Sequence, residues 1–310
     1  MMPDGGARTD LIVTQGGRHA LDILKTGGVG RVAALFERSF YIAFDQGWVC
    51  LGADSLPMGP LNVRSSAPHG MIWESRFLQI DDRVVSSASR LRVGQALEFG
   101  TGDVGTWDPP APPPWTALTA KGGLDDLDRR QAGPDTDAGL AGFVLADRTV
   151  VPRNEVVEAA WEPIEILSRT AERAFGGETL KSAELDDAVV ALLGLGPGLT
   201  PSGDDFLCGM LIALEILPVP ALRAHLIASI ECHAQQRTNA ISLAHLRAAG
   251  LGAGHEALHE FSNSLLAGDT ATLPAQLTAI DKIGHSSGWD ALAGICVTLR
   301  AYLAAQKMGV

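Results

Sequence analysis

The chain has 310 residues, 46% of them hydrophobic and 19% charged. That length and balance suit about two domains with sizeable cores. A formal net charge of -12 and a pI near 5.0 argue against nucleic acid and anionic membrane as main partners, because a polyanion is bound through a basic footprint. A small anionic substrate needs only a few local donors and stays open.

Cys50, Cys208, Cys232 and Cys296 form no CxxC pair, and Cys208 and Cys296 lie in apolar runs. The expectation is buried free thiols in a reducing compartment. Residues 1–10 contain no basic stretch followed by an apolar one, so no signal peptide is expected. The longest apolar run, 206–217, is too short for a bilayer and contains Glu215. A cytoplasmic protein is therefore expected.

In chain order, residues 31–36, 40–44 and 48–51 are apolar or alternating, with a hairpin-like Asp45-Gln46-Gly47 between the last two. Residues 61–64, 84–86 and 96–99 add further short strands. Short strands punctuated by Gly and Pro predict a small β-barrel or sandwich over 1–108. Residues 109–121 open with prolines, which fix φ and lack a donor, and read as a linker. The stretch 122–310 reads as mainly helical, so the fold class is α+β.

Within that half, a short helix is expected near 124–130, followed by a polar loop. Asn154 caps a helix running toward 175, with a kink at Pro163, and Ser182 caps one ending near 193. Residues 206–217 are apolar nearly all round and predict a central buried helix. Pro220 suits a first helical turn. A helix over 238–249 ends at Gly250, a natural C′ residue. Helices over 256–267, 273–283 and 289–306 complete the chain.

The most informative stretch is Gly194-Leu195-Gly196-Pro197-Gly198-Leu199-Thr200-Pro201-Ser202-Gly203-Asp204-Asp205. Glycines let a ligand approach the backbone, and the helix that follows adds free N–H groups and a positive dipole end. Loop plus helix start is an anion site. No Gly-Lys-Ser/Thr follows, so it is not a P-loop, and the preceding helix excludes the dinucleotide-binding pattern. Gly196, Gly198, Thr200, Ser202, Gly203 and Asp205 are its candidate binding residues. Ser202 and Asp205 also have the spacing of a capping box, which would be structural.

Ser287-Gly288-Trp289-Asp290-Ala291-Leu292-Ala293-Gly294 repeats Ser202 to Gly209 as Ser-Gly-x-Asp-x-Leu-x-Gly. The repeat predicts a pseudo-symmetric pair of central helices whose starts face one place. Asp205 and Asp290 share a capping position in it. Asp204 stands opposite Trp289, so the shared scaffold does not require it, and it is the candidate catalytic carboxylate. His285, Ser286 and Ser287 lead into the second copy, His285 as a second catalytic candidate beside the ordinary exposed histidine it could also be. Thr238, Ser242 and His245 share a helical face. Thr238, Asn239 and Ser242 join the anion-binding set, with helix capping by Thr238 as the plain alternative. Asp204, His233 and His285 lack metal-ligand spacing, and no metal is expected.

Three motifs carry a resemblance: the glycine stretch continued through Phe206-Leu207, Arg237-Thr238-Asn239-x-x-Ser242-x-x-x-Leu246, and Gly284-His285-Ser286-Ser287-Gly288-Trp289-Asp290-x-Leu292-x-Gly294. Together they resemble the AllH-like family, named for a subunit of oxamate carbamoyltransferase in allantoin breakdown. The likeness covers the layout from Gly27 onward, with specific motifs only in the C-terminal half. It implies transfer of a carbamoyl group between a ureido or oxamate-type compound and phosphate. The type reaction turns oxalurate and phosphate into oxamate and carbamoyl phosphate. It implies no cofactor, phosphate or carbamoyl phosphate as co-substrate, and further protein subunits as partners. Two other readings stand beside it: an amidohydrolase acting on a ureido compound, and a non-catalytic anion-binding subunit of a complex.

Overall fold

A computed structural model describes residues 9–68, 73, 78–130, 139–150, 154–179 and 182–308. The chain divides into two units, Met1–Pro109 and Pro110–Val310.

Among the described residues the first unit holds strands β1 (Thr9–Gly17), β2 (Gly28–Leu35), β3 (Ser39–Phe44), β4 (Gly47–Gly52), β5 (Asn62–Ser65), β6 (Arg83–Ser87), β7 (Arg90–Val93), β8 (Leu97–Gly100) and β9 (Gly105–Trp107), and helix α1 (Arg18–Thr26). They pair in the order β5-β4-β3-β2-β6-β7-β8-β1, and β5 returns to β1 to close the ring. β8 and β9 lie parallel along successive stretches of one edge of β1, so the barrel has eight strand positions. Alternation puts Phe40, Ile42 and Phe44 of β3, Val49 and Leu51 of β4, and Leu91 and Val93 of β7 inside. Trp73 stacks edge-on against Phe40 in the same core, ring centres 5.0 Å apart.

The expected barrel or sandwich is thus a barrel. The sequence reading lacks β1, α1, β7 and β9. β1 runs straight into α1 at Gly17 with no polar turn to mark the change. The four residues of β7 alternate arginine with Leu91 and Val93, too short a run to stand out.

The second unit contains α2 (Ala117–Arg130), two 3-10 turns (Ala141–Val144 and Arg148–Val150), α3 (Glu155–Phe175), α4 (Ser182–Leu192), α5 (Ser202–Ile216), α6 (Pro220–Arg237), α7 (Ala240–Gly250), α8 (Glu256–Ala267), α9 (Leu273–Ile280) and α10 (Ser287–Met308). Asn154 caps α3 as expected, accepting from the Val157 amide, and the helix continues through the buried Pro163. Pro220 opens α6. α2 begins inside the stretch read as a linker, because the prolines end at Pro114 and Thr116 and Thr119 then bond reciprocally at the helix start. The polar loop expected after residue 130 falls largely on 131–138, outside the described residues, as do residues 1–8 and the capping side chain of Ser182. Cys50, Cys208 and Cys296 are buried free thiols, but Cys232 is exposed, since α6 turns that side of the helix outward. No helix among the described residues is long and apolar enough to cross a membrane.

α5 is buried from Ser202 to Leu214 and is the centre of this unit. Burying side chains such as Phe206, Leu207 and Met210 stabilises the fold by about 1.5–3 kcal/mol each. Its main partner is α10. A side chain on Gly209 would fall on the Ala291 carbonyl, and one on Gly294 on the Phe206 carbonyl. One helical turn and more toward the starts, Thr200 Oγ1 lies 2.8 Å from Ser287 Oγ. Contacts that advance together along both helices mean a parallel pair with its starts side by side, as the repeat predicts. The likeness extends outward. Gly203 packs on the carbonyl of Leu192 at the end of α4, and Gly288 on that of Ile280 at the end of α9.

A methyl group at Gly209 has no room without parting two backbones. Gly209→Ala should therefore lower stability by about 1–3 kcal/mol or more in urea unfolding. Gly122→Ala is the control: Gly122 sits in α2 with nothing near its missing side chain, so that change should raise stability by about 1 kcal/mol. Equal effects at both positions would show that close approach at Gly209 is not required.

Candidate functional site

The glycine loop joins α4 to α5. Gly194, Gly196 and Gly198 have φ of 75°, 109° and 97°, a region that L side chains rarely adopt. The loop is tied at several points. The Gly203 amide donates to the Leu195 carbonyl at 2.9 Å. Asn239 Nδ2 donates to the Leu199 carbonyl at 2.8 Å. Gly198 at the tip is exposed and faces open space. Gly203, by contrast, is buried, with its amide used and its missing side chain needed for packing.

The capping box does not form. The N-cap residue of α5 is Pro201, with no side-chain cap bond, and Ser202 is already the first helical residue. The Leu195 carbonyl does part of the work expected of the serine, and the Asp205 amide bonds the Pro201 carbonyl at 3.0 Å. The helix expected over 238–249 is α7, Ala240–Gly250, which starts two residues later and takes in Gly250. Thr238 ends α6, and Asn239 caps α7, accepting from the amides of Ile241 and Ser242.

This junction converges on Asp204. Its Oδ1 accepts from the Gly194 amide at 2.8 Å. Its Oδ2 accepts from Ser242 Oγ at 2.6 Å and from Thr238 Oγ1. Asp204 has no exposed surface. Burial raises its pKa, and the hydrogen bonds from Ser242, Thr238 and Gly194 pull it back. A carboxylate so enclosed is suited to fastening the loop to α5 and the α6–α7 junction.

Asp205 on α5 and Asp290 on α10 each lie one turn before the glycine, Gly209 or Gly294, that faces the partner helix. Burial raises the Asp205 pKa well above the carboxylate range, the Asp290 charge adds to the rise, and the hydroxyls of Ser287 and Thr200 oppose it. Burial likewise raises Asp290, opposed by the Leu140 amide, Ser202 and Ser286. The pattern is reciprocal: each aspartate meets the opening serine of the other helix. Oδ2 of both aspartates is buried without a hydrogen-bond partner. Neither caps its own helix. Asp290 Oδ1 instead accepts from the Leu140 amide.

Most of the residues read from the sequence are thus gathered here: Gly196, Thr200, Ser202, Asp204, Asp205, Thr238, Asn239, Ser242, Ser286 and Ser287. His285 lies exposed on the turn before α10. Trp289, opposite Asp204 in the repeat, donates to Asp281 at 2.8 Å. His233 bonds the Ser229 carbonyl, and burial pushes the half-buried His245 down to about 4. The sequence reading missed Gly139 and Leu140. Gly139, with φ of 65°, lies against the Asp290 carboxylate, where a side chain would collide. The only local signal was a glycine before a short apolar run.

Asp204→Ala leaves three buried donors without their acceptor, and we expect a loss of about 3 kcal/mol or more in urea unfolding. Asp204→Asn should lose less, because an amide oxygen still accepts on one side. A loss below about 1 kcal/mol for the alanine variant would mean that the donors find other partners.

No solved structure matches the chain. The family model for oxamate carbamoyltransferase subunit AllH matches residues 192–299, from the end of α4 into α10. The chain is similar to that subunit family over the segment that holds both helix starts, as the motifs imply.

Proposed function

We propose that this chain is a subunit of a carbamoyltransferase and binds the anionic end of its substrate, or phosphate, at the glycine loop. The observation that carries the reading is the coincidence of the AllH match, residues 192–299, with the paired starts of α5 and α10. In the reaction expected of such a subunit, a phosphate oxygen attacks the carbamoyl carbon. The bond from that carbon to the oxamate nitrogen breaks, and the nitrogen gains a proton. The chemistry needs a seat for an anion and donors for an oxyanion. The exposed backbone N–H groups of Gly198 and Leu199 and the dipole ends of two helices are suited to both. Thr200 and Ser287 border the seat as hydroxyl donors, and Asp204 holds the loop in shape as a positioning residue. The other subunits supply what this chain lacks.

The test is a thermal-shift series with phosphate, carbamoyl phosphate, oxamate, oxalurate and ureido acids. A ligand at 100 times its Kd should stabilise by about 2.7 kcal/mol. Phosphate or carbamoyl phosphate should stabilise the chain, and Gly198→Val should abolish that shift. It should also lower ligand-free melting, because a β-branched side chain is strained at a φ of 97° even with open space around it. Stabilisation by ureido acids without phosphate, together with their hydrolysis by the chain alone, would favour an amidohydrolase instead. No stabilisation by any of these anions would sink the reading.

A further inference from the structure

The two carboxylates Asp205 and Asp290 have no role so far, and their environment is costly. Both are more than nine-tenths buried. Each has one oxygen, Oδ2, with no hydrogen-bond partner, and each such orphan costs free energy while it stays unsatisfied. Gly209 and Gly294 face the partner backbone, and Asp205 and Asp290 lie one turn earlier on the same helix faces, so two like charges in the seam between α5 and α10 add a repulsion. One change removes all of these costs together: a single proton between the two Oδ2 atoms makes one a donor and the other its acceptor.

We propose that Asp205 and Asp290 form a carboxyl–carboxylate dyad holding one shared proton at the paired starts of α5 and α10.

The remaining bonds fit this division. The Leu140 amide donates to Oδ1 of Asp290, leaving Oδ2 for the shared proton. The hydroxyls of Ser287 and Thr200 act on Asp205, and those of Ser202 and Ser286 on Asp290. The titratable neighbours on α5 are Asp204, one position earlier, and Cys208, whose thiol is kept protonated by burial and by Asp205 and Asp204. α7 brings His245, held neutral by burial. On α6 and α4, His225 is paired with Asp186 at 3.0 Å and His233 with the Ser229 carbonyl. α2 and α8 pack on α10 and carry Asp128, which binds Arg300, and the neutral His259; α3 carries Glu165. None of these contacts gives the dyad a cation to replace the proton.

Resting on the carbamoyl-transfer reading, the dyad is a support for the anion seat. Both Oδ2 atoms are enclosed, so the shared proton stays inside, and the hydroxyls of Ser287 and Thr200 that act on Asp205 border the seat. Asp205, with 8% of its surface exposed, is the member nearer to solvent.

The experiment needs neither substrate nor partner subunits. Melting temperature is measured against pH for the full chain, Asp205→Asn and Asp290→Asn, with an infrared titration of the chain and a phosphate thermal shift for each. The folded chain holds a proton that the unfolded chain releases at ordinary carboxylate pKa. Stability should therefore fall as pH rises from about 4 to the dyad's own pKa, then level off. Asn at position 205 offers an N–H where the proton was. Asp205→Asn should melt about 2–4 °C higher than the parent at high pH, and its slope should flatten. A protonated-carboxyl band should persist in the parent near neutral pH and vanish in the variant. If Asp290→Asn does not fold, the parent's slope and band still decide the matter. No such band, or an Asp205→Asn variant that melts lower with an unchanged slope, overturns the dyad. A dyad signature without any phosphate shift would keep the dyad and sink the transfer reading.

Discussion

Everything in the helical unit depends on how closely α5 and α10 approach. Glycine at 209 and at 294 lets each backbone rest on a carbonyl of the other helix. Because the helices are parallel, this contact has a consequence that an antiparallel pair would not have. It brings two sets of first-turn amides and two positive dipole ends to one place. Negative groups are thereby favoured at that place, and the chain supplies Asp204, Asp205 and Asp290 within it. The same field is what a small anion would use.

Those three aspartates illustrate how environment assigns work to identical side chains. Asp204 meets three donors from three separate pieces of chain, the end of α4, the end of α6 and the first turn of α7. It ties together segments far apart in sequence. Asp205, its neighbour in the chain, points to another face of α5 and meets hydroxyls and a second carboxylate. Adjacent helical positions diverge by about 100° around the axis, enough to give one residue a full set of donors and leave the next with an orphaned oxygen. The barrel offers a contrast in Glu98, which is buried between the guanidinium groups of Arg90 and Arg92. There a cation answers the carboxylate and holds its pKa low, whereas at the helix starts no such pairing is seen among the described residues.

Local chemistry made much of this legible in the sequence. Asn154 marks a helix start through its side chain and Pro220 through its fixed φ, and alternation marks β3. The expected C′ glycine, Gly250, is instead the last helical residue of α7, and Leu251 follows as its cap. The parallel pair was legible because two eight-residue segments share glycines at positions where only a close backbone fits. The capping box was misread because it is a local pattern displaced by a nonlocal bond. The Leu195 carbonyl reaches the Gly203 amide, so the helix starts without a serine cap. The enclosure of Asp204 was hidden for the same reason. The repeat correctly identified which aspartate was shared, but the donors that enclose Asp204 come from residues 194, 238 and 242, and no pattern near Asp204 announces them.

Leu140 shows the limit of local reading most clearly. Its amide meets Asp290 across 150 positions of sequence, in a stretch without helical or strand periodicity. What binds there is backbone, and backbone amides carry no residue-specific signal. The shared Asp of the repeat could still have raised the question. A carboxylate kept at the same position in two buried helix starts, with a serine three residues before it in each, is overdetermined for capping when a loop carbonyl already serves one of the helices. Two copies of one local pattern, packed in parallel around glycines, place their acids together by symmetry. The like-charge contact at the centre of this unit therefore follows from the repeat itself, and it must be answered by a cation, a ligand or a proton.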